Sequence, residues 1–202
     1  MEWTQKDREA LQAFETLIDS DDIRFKKKIK DILLNNVYII HVLNNEELEE
    51  SGADPDEYFG TNILPYYLIS PTQSNTQNFI CFESQFEEVI KYNKIIKRGE
   101  IRFYILCHQK DLIDKETGIA RHDLLAALIM DEFNWTNYFG NQVHCVSDVA
   151  SVVDTHYACR TLIFEGEFPN SISKNKLKMD GTGRTIDSDT KSVVINSEVV
   201  SG

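Results

Sequence analysis

Three adjacent side chains, Arg121, His122 and Asp123, have types that could do chemistry in this 202-residue chain. An imidazole beside a carboxylate suits a divalent metal, which suggests a metal-dependent hydrolase. That chemistry needs further ligands from other elements, and the remaining candidates, His108 and His144, lie elsewhere in the sequence. Alternatively the three residues begin a helix, with Asp123 capping it or complementing its dipole while Arg121 and His122 face solvent or a partner. We favour the helix.

Other patterns for catalysis are weaker. The cysteines Cys81, Cys107, Cys145 and Cys159 are far apart, and there is no Cys-x-x-Cys. Where a cysteine adjoins a histidine in a strand, the two neighbouring side chains would point to opposite faces of the sheet. They could not then bind one zinc ion together, which disfavours a zinc site. A Cys-His nucleophile lacks an oriented third group, and no Gly-rich phosphate loop or G-x-S-x-G is present. We therefore predict reduced core thiols, no cofactor and no enzymatic activity.

The net charge of -12 disfavours a broad basic surface for nucleic acid. We expect no sequence-specific binding of nucleic acid, although negative walls would let a duplex slide past without gripping it. The first ten residues are polar, and the longest apolar run, "LLAALIM", is too short to span a bilayer. A soluble protein inside a cell, without a membrane partner, is the expectation.

The best helix is predicted over 121–134, where Leu125, Leu128, Ile129 and Phe133 share one face. Two N-terminal helices are predicted over 4–18 and 23–34. The apolar face of the second would consist of Ile23, Ile29, Ile32 and Leu33.

Strands are predicted from β-rich or alternating runs. They cover 37–43, 62–70, 78–84, 101–109 and 156–168, the last closing the domain. Residues 101–109 carry apolar groups on both faces and should be central, whereas Pro65 places 62–70 at an edge. Residues 85–96 fit either a helix or a twisted strand. Turns or loops are expected at 97–100, in the linker 135–148 and in an acidic insertion at about 44–60.

These elements predict an α+β domain, an antiparallel or mixed sheet with helices on one face, over residues 1–168. Residues 169–202 are polar and lack periodicity, so they form an extended C-terminal arm that is flexible or ordered by a partner. Within this arm, "SVVINSEVV" could add as a strand to the sheet edge of a neighbour.

In its order of elements the chain resembles the tail-terminator and neck (head-tail joining) proteins of tailed phages. The resemblance covers roughly 23–169. In that group an N-terminal helix is followed by a β-meander. The matching elements here are then the strand "IRFYILCHQ", the helix "RHDLLAALIMDEF" and the closing strand "YACRTLIFEGEF", in that order. The first helix, the acidic insertion and the tail depart from that pattern.

The resemblance implies a structural virion protein located in the tail or neck and assembled in the host cytoplasm. Such subunits form a ring, expected here to be a homohexamer, that caps the tail tube and joins it to the head connector, with DNA passing through the lumen. The implied partners are further copies of the chain, the tail tube protein, a head-completion or connector protein and a sheath protein. A head-closure (stopper) protein is the nearest alternative. Subunit contacts are expected at Arg121, His122, Asp123 and Arg160, where a buried arginine–carboxylate pair would set register.

Overall fold

The computed structural model describes residues 4–12, 21–67, 76–88, 96–153, 156–169, 178–179 and 185–186. Predictions for 13–18, 68–75 and 89–95, and for nearly all of the arm, lie outside these residues. The helices are α1 (Gln5–Gln12), α2 (Asp21–Asn35), α3 (Val37–Leu43), α4 (Glu46–Ser51) and α5 (Arg121–Phe133), with 3-10 turns at Pro55–Tyr58 and Gln109–Asp111. The strands are β1 (Ile63–Leu64), β2 (Phe79–Glu88), β3 (Ile96–His108), β4 (Val143–Val152), β5 (Tyr157–Pro169), β6 (Lys178–Met179) and β7 (Thr185–Ile186).

The described residues form a five-stranded mixed sheet in the order β1-β2-β3-β5-β4, and β6 pairs separately with β7. β1 is parallel to β2, whereas the other neighbours in the larger sheet are antiparallel. The central position predicted for 101–109 is confirmed, and so is the edge position predicted for 62–70, although within 62–67 the strand is limited to Ile63–Leu64 and ends before Pro65. The predicted linker 135–148 is wrong in its second half, because β4 begins at Val143 and forms the other edge. β5 is therefore an interior strand.

Helices α2, α3 and α5 pack on one face of this sheet, which confirms the predicted α+β class. Alternate residues of β3, including Phe103 and Ile105, face Ile129 and Phe133 of α5 in one buried core. Spacing by three and four places the apolar residues of α5 on one side, so the helix covers the sheet without exposing them. Leu128 lies at the margin of this face and is half-buried.

Helix α2 confirms the predicted helix over 23–34 and buries Ile29 and Leu33 of the predicted face, but Phe25 takes the place of Ile23 in the core. Phe25 is its aromatic anchor, stacked on Phe139 with ring centroids 4.5 Å apart and edge-on to Phe168 at 4.8 Å. Ile23, predicted to be buried, is 41% exposed. Aromatic rings bury more apolar area than a branched aliphatic side chain, which favours the face centred on Phe25.

The strand predicted over 37–43 is wrong, since this stretch is helix α3. The Asn36 side chain caps it, accepting from the backbone N–H groups of Tyr38 and Ile39 at 3.0 and 3.2 Å. Asn44 ends it in the left-handed conformation, with φ 51°. Ile39 and Leu43, four residues apart, enter the core, so capping and burial override the β propensity of the run.

Two further stretches differ from their predictions. The acidic insertion at 44–60 contains α4 and a 3-10 turn rather than a plain loop, because Asn45 and Asp54 cap them and Tyr58 is buried. The turn predicted at 97–100 is part of β3. Gly99 there lies against the ring of Phe168, so the glycine provides room in the sheet rather than a turn.

Candidate subunit interface

Arg121, His122 and Asp123 form the first turn of α5, as favoured from the sequence. The helix begins after Ala120, which makes no side-chain cap. Asp123 therefore does not cap the helix, although its carboxylate lies in the first turn, where it complements the dipole. Arg160 approaches from β5, so the structure brings all four predicted contact residues to one end of the sheet.

Arg121 is buried, contrary to the expectation that it faces solvent or a partner, with only 4% of its surface exposed. Its Nε lies 3.3 Å from a carboxylate oxygen of Asp111, and its Nη1 lies 3.0 Å from one of Asp114. It also donates to the carbonyls of Asp111 at 3.1 Å and Val42 at 3.3 Å. The buried arginine–carboxylate pair exists, but within one chain, where it holds α5 to α3 and to the loop after β3.

The two carboxylates that neutralise Arg121 are held by other donors. Asp114 accepts from the backbone N–H and the hydroxyl of Thr117 at 2.8 and 2.7 Å, which lowers the pKa of Asp114. Asp111 accepts from the side-chain amides of Asn44 at 2.9 Å and Asn78 at 2.8 Å. These donors hold both carboxylates in place independently of Arg121, so the carboxylates need little reorganisation to bind the guanidinium.

A chain of buried asparagines, which the sequence patterns did not predict, continues this network. Asn78 donates to the carbonyl of Leu43 at 3.0 Å and accepts from the backbone N–H of His108 at 3.1 Å. Asn62 donates to the carbonyl of Asn78 at 2.9 Å and accepts from Asn45 at 2.6 Å. The available signal was that Asn45, Asn62 and Asn78 each lie beside an apolar run. Asparagine is equally common in solvated turns, so this signal does not distinguish a buried network from a turn.

The His122–Asp123 pair does not gather further ligands from the described elements. His122 Nε2 lies 3.7 Å from Asp123 Oδ1, and its Nδ1 is buried without a hydrogen-bond partner. The Asp123 carboxylate accepts from Arg160. His108 caps the 3-10 turn after β3, and His144 stacks on Trp135 at 5.2 Å. Within the ranges that the structure describes, no group of three or more His, Cys, Asp or Glu residues could hold a metal ion.

The cysteines are free thiols, as predicted, although not equally buried. Cys81, Cys107 and Cys159 are buried, whereas Cys145 on β4 is half-buried. Burial raises the pKa of Cys107 and of Cys159, so both remain protonated and poorly nucleophilic. These side chains fill space in the core.

Arg160 forms the second ion-pair cluster and ties β5 to β4 and α5. Its Nε and Nη2 donate to the two carboxylate oxygens of Asp148 at 2.7 and 2.8 Å, while Nη1 donates to Asp123. This bidentate bond lowers the pKa of Asp148. The side chains of Arg160, Asp148 and Asp123 are 27%, 32% and 41% exposed. The cluster therefore lies at the surface, beside the edge strand.

Edge strand β4 differs along its length. At its start Val143 donates to the carbonyl of Thr136 at 3.0 Å and accepts from the N–H of Trp135 at 2.7 Å, so the linker covers the edge. The register then shifts between Cys145 and Ser147, which makes Val146 a β-bulge. Beyond the bulge, residues 147–152 pair with β5 on one side and with no other described strand.

The opposite face of the sheet carries charge near the start of β3. An open groove of about 740 Å³ is bordered by Glu87, Glu165 and Glu167, with Arg98 as the cation among them. Arg98 binds Glu165, which raises the pKa of Arg98. The stacked rings of Trp135 and His144 form another wall. Among the residues that the structure describes, the lining of the groove is acidic overall and includes no lysine, so it offers no basic cluster for phosphate.

The family model of YomW matches residues 36–165, from the cap of α3 into β5. This stretch is more than half of the chain, so the chain belongs to the YomW family and is a phage-related protein. A comparison with curated proteins finds no match. In the part of the chain that the structure describes, no helix is both long and apolar enough to cross a membrane.

Proposed function

We propose that this YomW-family protein is a structural virion protein of a tailed phage, a tail-terminator or neck subunit. Its copies form a ring, a homohexamer, that caps the tail tube and joins it to the head connector, and DNA passes through the lumen. The partners are further copies of the chain, the tail tube protein, a head-completion or connector protein and a sheath protein. The protein assembles in the host cytoplasm and performs no catalysis.

The order of the elements carries this proposal. A central strand, β3, leads through a short loop into α5, which packs across the sheet before β4 and β5 complete it. This is the strand–helix–strand order by which the sequence resembles tail terminators. The family match at 36–165 falls within the resembling stretch, roughly 23–169, and supports a phage origin.

The position of α5 also separates the proposal from its alternatives. Head-closure proteins more often have a small β-barrel, so a 13-residue helix packed on β3 and β5 favours the terminator. For a hydrolase, Asp123 would have to release Arg160 before it could bind a metal ion. Breaking that ion pair would oppose metal binding and favours a structural role for the cluster.

Charge is compatible with a ring around DNA. The net charge is -12, and carboxylates of Glu87, Glu165 and Glu167 border the open groove. Like charge repels the phosphate backbone, so such a wall would let the duplex slide. We place subunit contacts at the exposed part of the first turn of α5 and at the residue of β5 that binds it, above all at Asp123 and Arg160.

Electron microscopy of tail tubes tests the proposal. Purified protein is added to polymerising tubes of the parent phage, and ring formation and tube length are measured. We expect a six-fold ring at one end of each tube and an early stop to growth. Tubes that grow to the same lengths without an end ring would refute the terminator role.

Two matched variants locate the contact. Asp123→Asn should weaken capping of the tubes, because it removes the charge shared with Arg160. Asp131→Asn, an exposed position on the same helix, should cap them normally. Equal thermal midpoints for the two variants would show that the difference arises from assembly. If both cap equally well, the first turn of α5 is not a subunit contact. One bound metal ion per chain, lost on His122→Ala, would instead support the hydrolase.

A further inference from the structure

The two edges of the sheet are protected to different degrees. At one edge β1 has two residues and is followed by Pro65, which cannot donate a ladder hydrogen bond. At the other, residues 147–152 contain no proline and no lysine. Their side chains are largely exposed, with Val149 at 53% and Val152 at 71%. The bulge at Val146 and the charge of Asp148 protect this edge only in part, since residues 149–152 beyond them have neither feature, and an edge with exposed β-branched side chains can pair with a further strand.

The sequence of this edge is nearly its own reverse. Residues 146–152 read V-S-D-V-A-S-V. In an antiparallel pairing of two copies centred on Val149, that valine lies opposite itself and Ser147 lies opposite Ser151 of the second copy. Asp148 then lies opposite Ala150, and Val152 comes beside Val146. Each side chain thus meets one of equal or complementary size, which identifies a second copy as the fitting partner.

Charge is consistent with the same register. Asp148 is the acidic residue of β4, and its carboxylate is bound on both oxygens by Arg160 of its own chain. Pairing about Val149 puts alanine, not a second aspartate, opposite Asp148. No like charges therefore lie directly opposite each other, and no ion pair has to break when the strands meet.

We propose that β4 is a two-fold dimerisation edge, through which two copies pair antiparallel about Val149 and join their sheets into one. Val149 pairs with Thr161 of β5, so it lies on the face opposite the helices, with Asp148 and Ala150 on the helix face. A two-fold contact closes after two copies, so it is distinct from the contacts of a cyclic ring. It is a state of the free protein, beyond the proposed role at the tail.

The expected dimer is weak. Six residues per strand bury less than a standard interface, so a dissociation constant on the order of 100 μM is expected. Val149→Lys puts two ammonium groups opposite each other and should raise that constant about tenfold or more. Val37→Lys is the matched control, because Val37 is 69% exposed and lies on α3. Sedimentation velocity over a concentration series measures both variants.

Disulfide trapping tests the register on the full chain. Val149→Cys, oxidised with diamide, should form a dimer rapidly, since residues directly opposite in a ladder have Cα atoms about 4.5–5.5 Å apart. Ala150→Cys should not, because its two copies would be about 8 Å apart, beyond disulfide reach. Val37→Cys measures the cross-linking that arises from random collision, and the unsubstituted chain measures the cross-linking by the native cysteines.

Preferential cross-linking at 149, with a dimer weakened by Val149→Lys, supports the two-fold edge. A monomer at all concentrations, or equal cross-linking at 149, 150 and 37, would overturn it. A hexamer that Val149→Lys disrupts would also overturn it, since the edge would then join copies head to tail.

Discussion

Replacing Arg121 by leucine should destabilise the folded chain by about 3 kcal/mol. Removing one partner of a buried ion pair costs about 3–5 kcal/mol, because the remaining charge stays buried without a counterion. Arg121 is 4% exposed and approaches both Asp111 and Asp114. Asp111 keeps its two asparagine donors and Asp114 keeps Thr117, so we expect the lower end of that range.

Urea denaturation followed by circular dichroism measures this loss, together with the thermal midpoint. For a chain of this length, 3 kcal/mol corresponds to a fall of roughly 6–12 °C. Lys26→Met is the control, since it removes the cation from a partly exposed ion pair in which Lys26 Nζ lies 3.3 Å from a carboxylate oxygen of Asp22. This substitution should cost about 0.5 kcal/mol or less. If Arg121→Leu changes stability no more than Lys26→Met does, the network does not anchor α5.

Three further perturbations test other parts of the structure. Asp148→Asn should lower stability at neutral pH, because Arg160 lowers the folded pKa of Asp148 and the ionised carboxylate therefore stabilises the fold. That contribution is complete above the usual aspartate pKa of about 3.9 and declines as the pH falls toward the folded value, so the difference between the urea midpoints of variant and parent should become smaller from pH 7 to pH 2.5. Gly99→Ala should cost about 1–3 kcal/mol in urea unfolding, since its Cβ would lie under 3.0 Å from rings of Phe168 and Phe86, and an unchanged midpoint would contradict that packing. Asn36→Ala should lower the thermal midpoint by removing the cap of α3, worth about 1 kcal/mol, and also the hydrogen bond to Glu132 at 2.7 Å. Glu132→Ala removes only that second bond, so an equal loss in Glu132→Ala would count against a specific cap.

The elements that the sequence predicts well are those in which periodicity and burial agree. Strand β3 alternates strictly through Ile101, Phe103 and Ile105, and α5 repeats Leu125, Ile129 and Phe133 at helical spacing. In α3 the pattern is ambiguous, because "VYIIHVL" is rich in β-branched residues whichever structure it adopts. The Asn36 cap and the core contact of Ile39 decide in favour of a helix. The cap is local, and an asparagine directly before the run was its signal in the sequence, whereas the contact of Ile39 depends on tertiary structure.

Strand β4 was missed because an edge strand has little apolar alternation of its own. Val146 interrupts the alternation as a bulge, and the polar residues around Asp148 have the composition of a loop. Its hydrogen bonds come from β5, and the residue types of β4 alone do not reveal that pairing. Gly99 was misassigned for a similar reason, since the ring of Phe168 that explains it is 69 residues away.

The sequence predicted where the candidate residues lie in the fold, but it did not predict which side chains bind them. The Arg121–Asp123 segment was correctly expected to begin a helix, and Arg160 does reach it. The acids that bind Arg121, and the asparagines behind them, come from three separate segments. Polar residues of this kind are common in loops, so only the fold distinguishes a buried network from solvated turns.

Immunogold electron microscopy of virions tests the central claim most directly. Antibodies against the purified protein would be applied to virions of the phage that encodes it, and gold particles counted along each particle. The tail-terminator proposal predicts label concentrated at the joint between head and tail. Virions without label there, from a lysate in which the protein is abundant, would contradict a structural role in the neck.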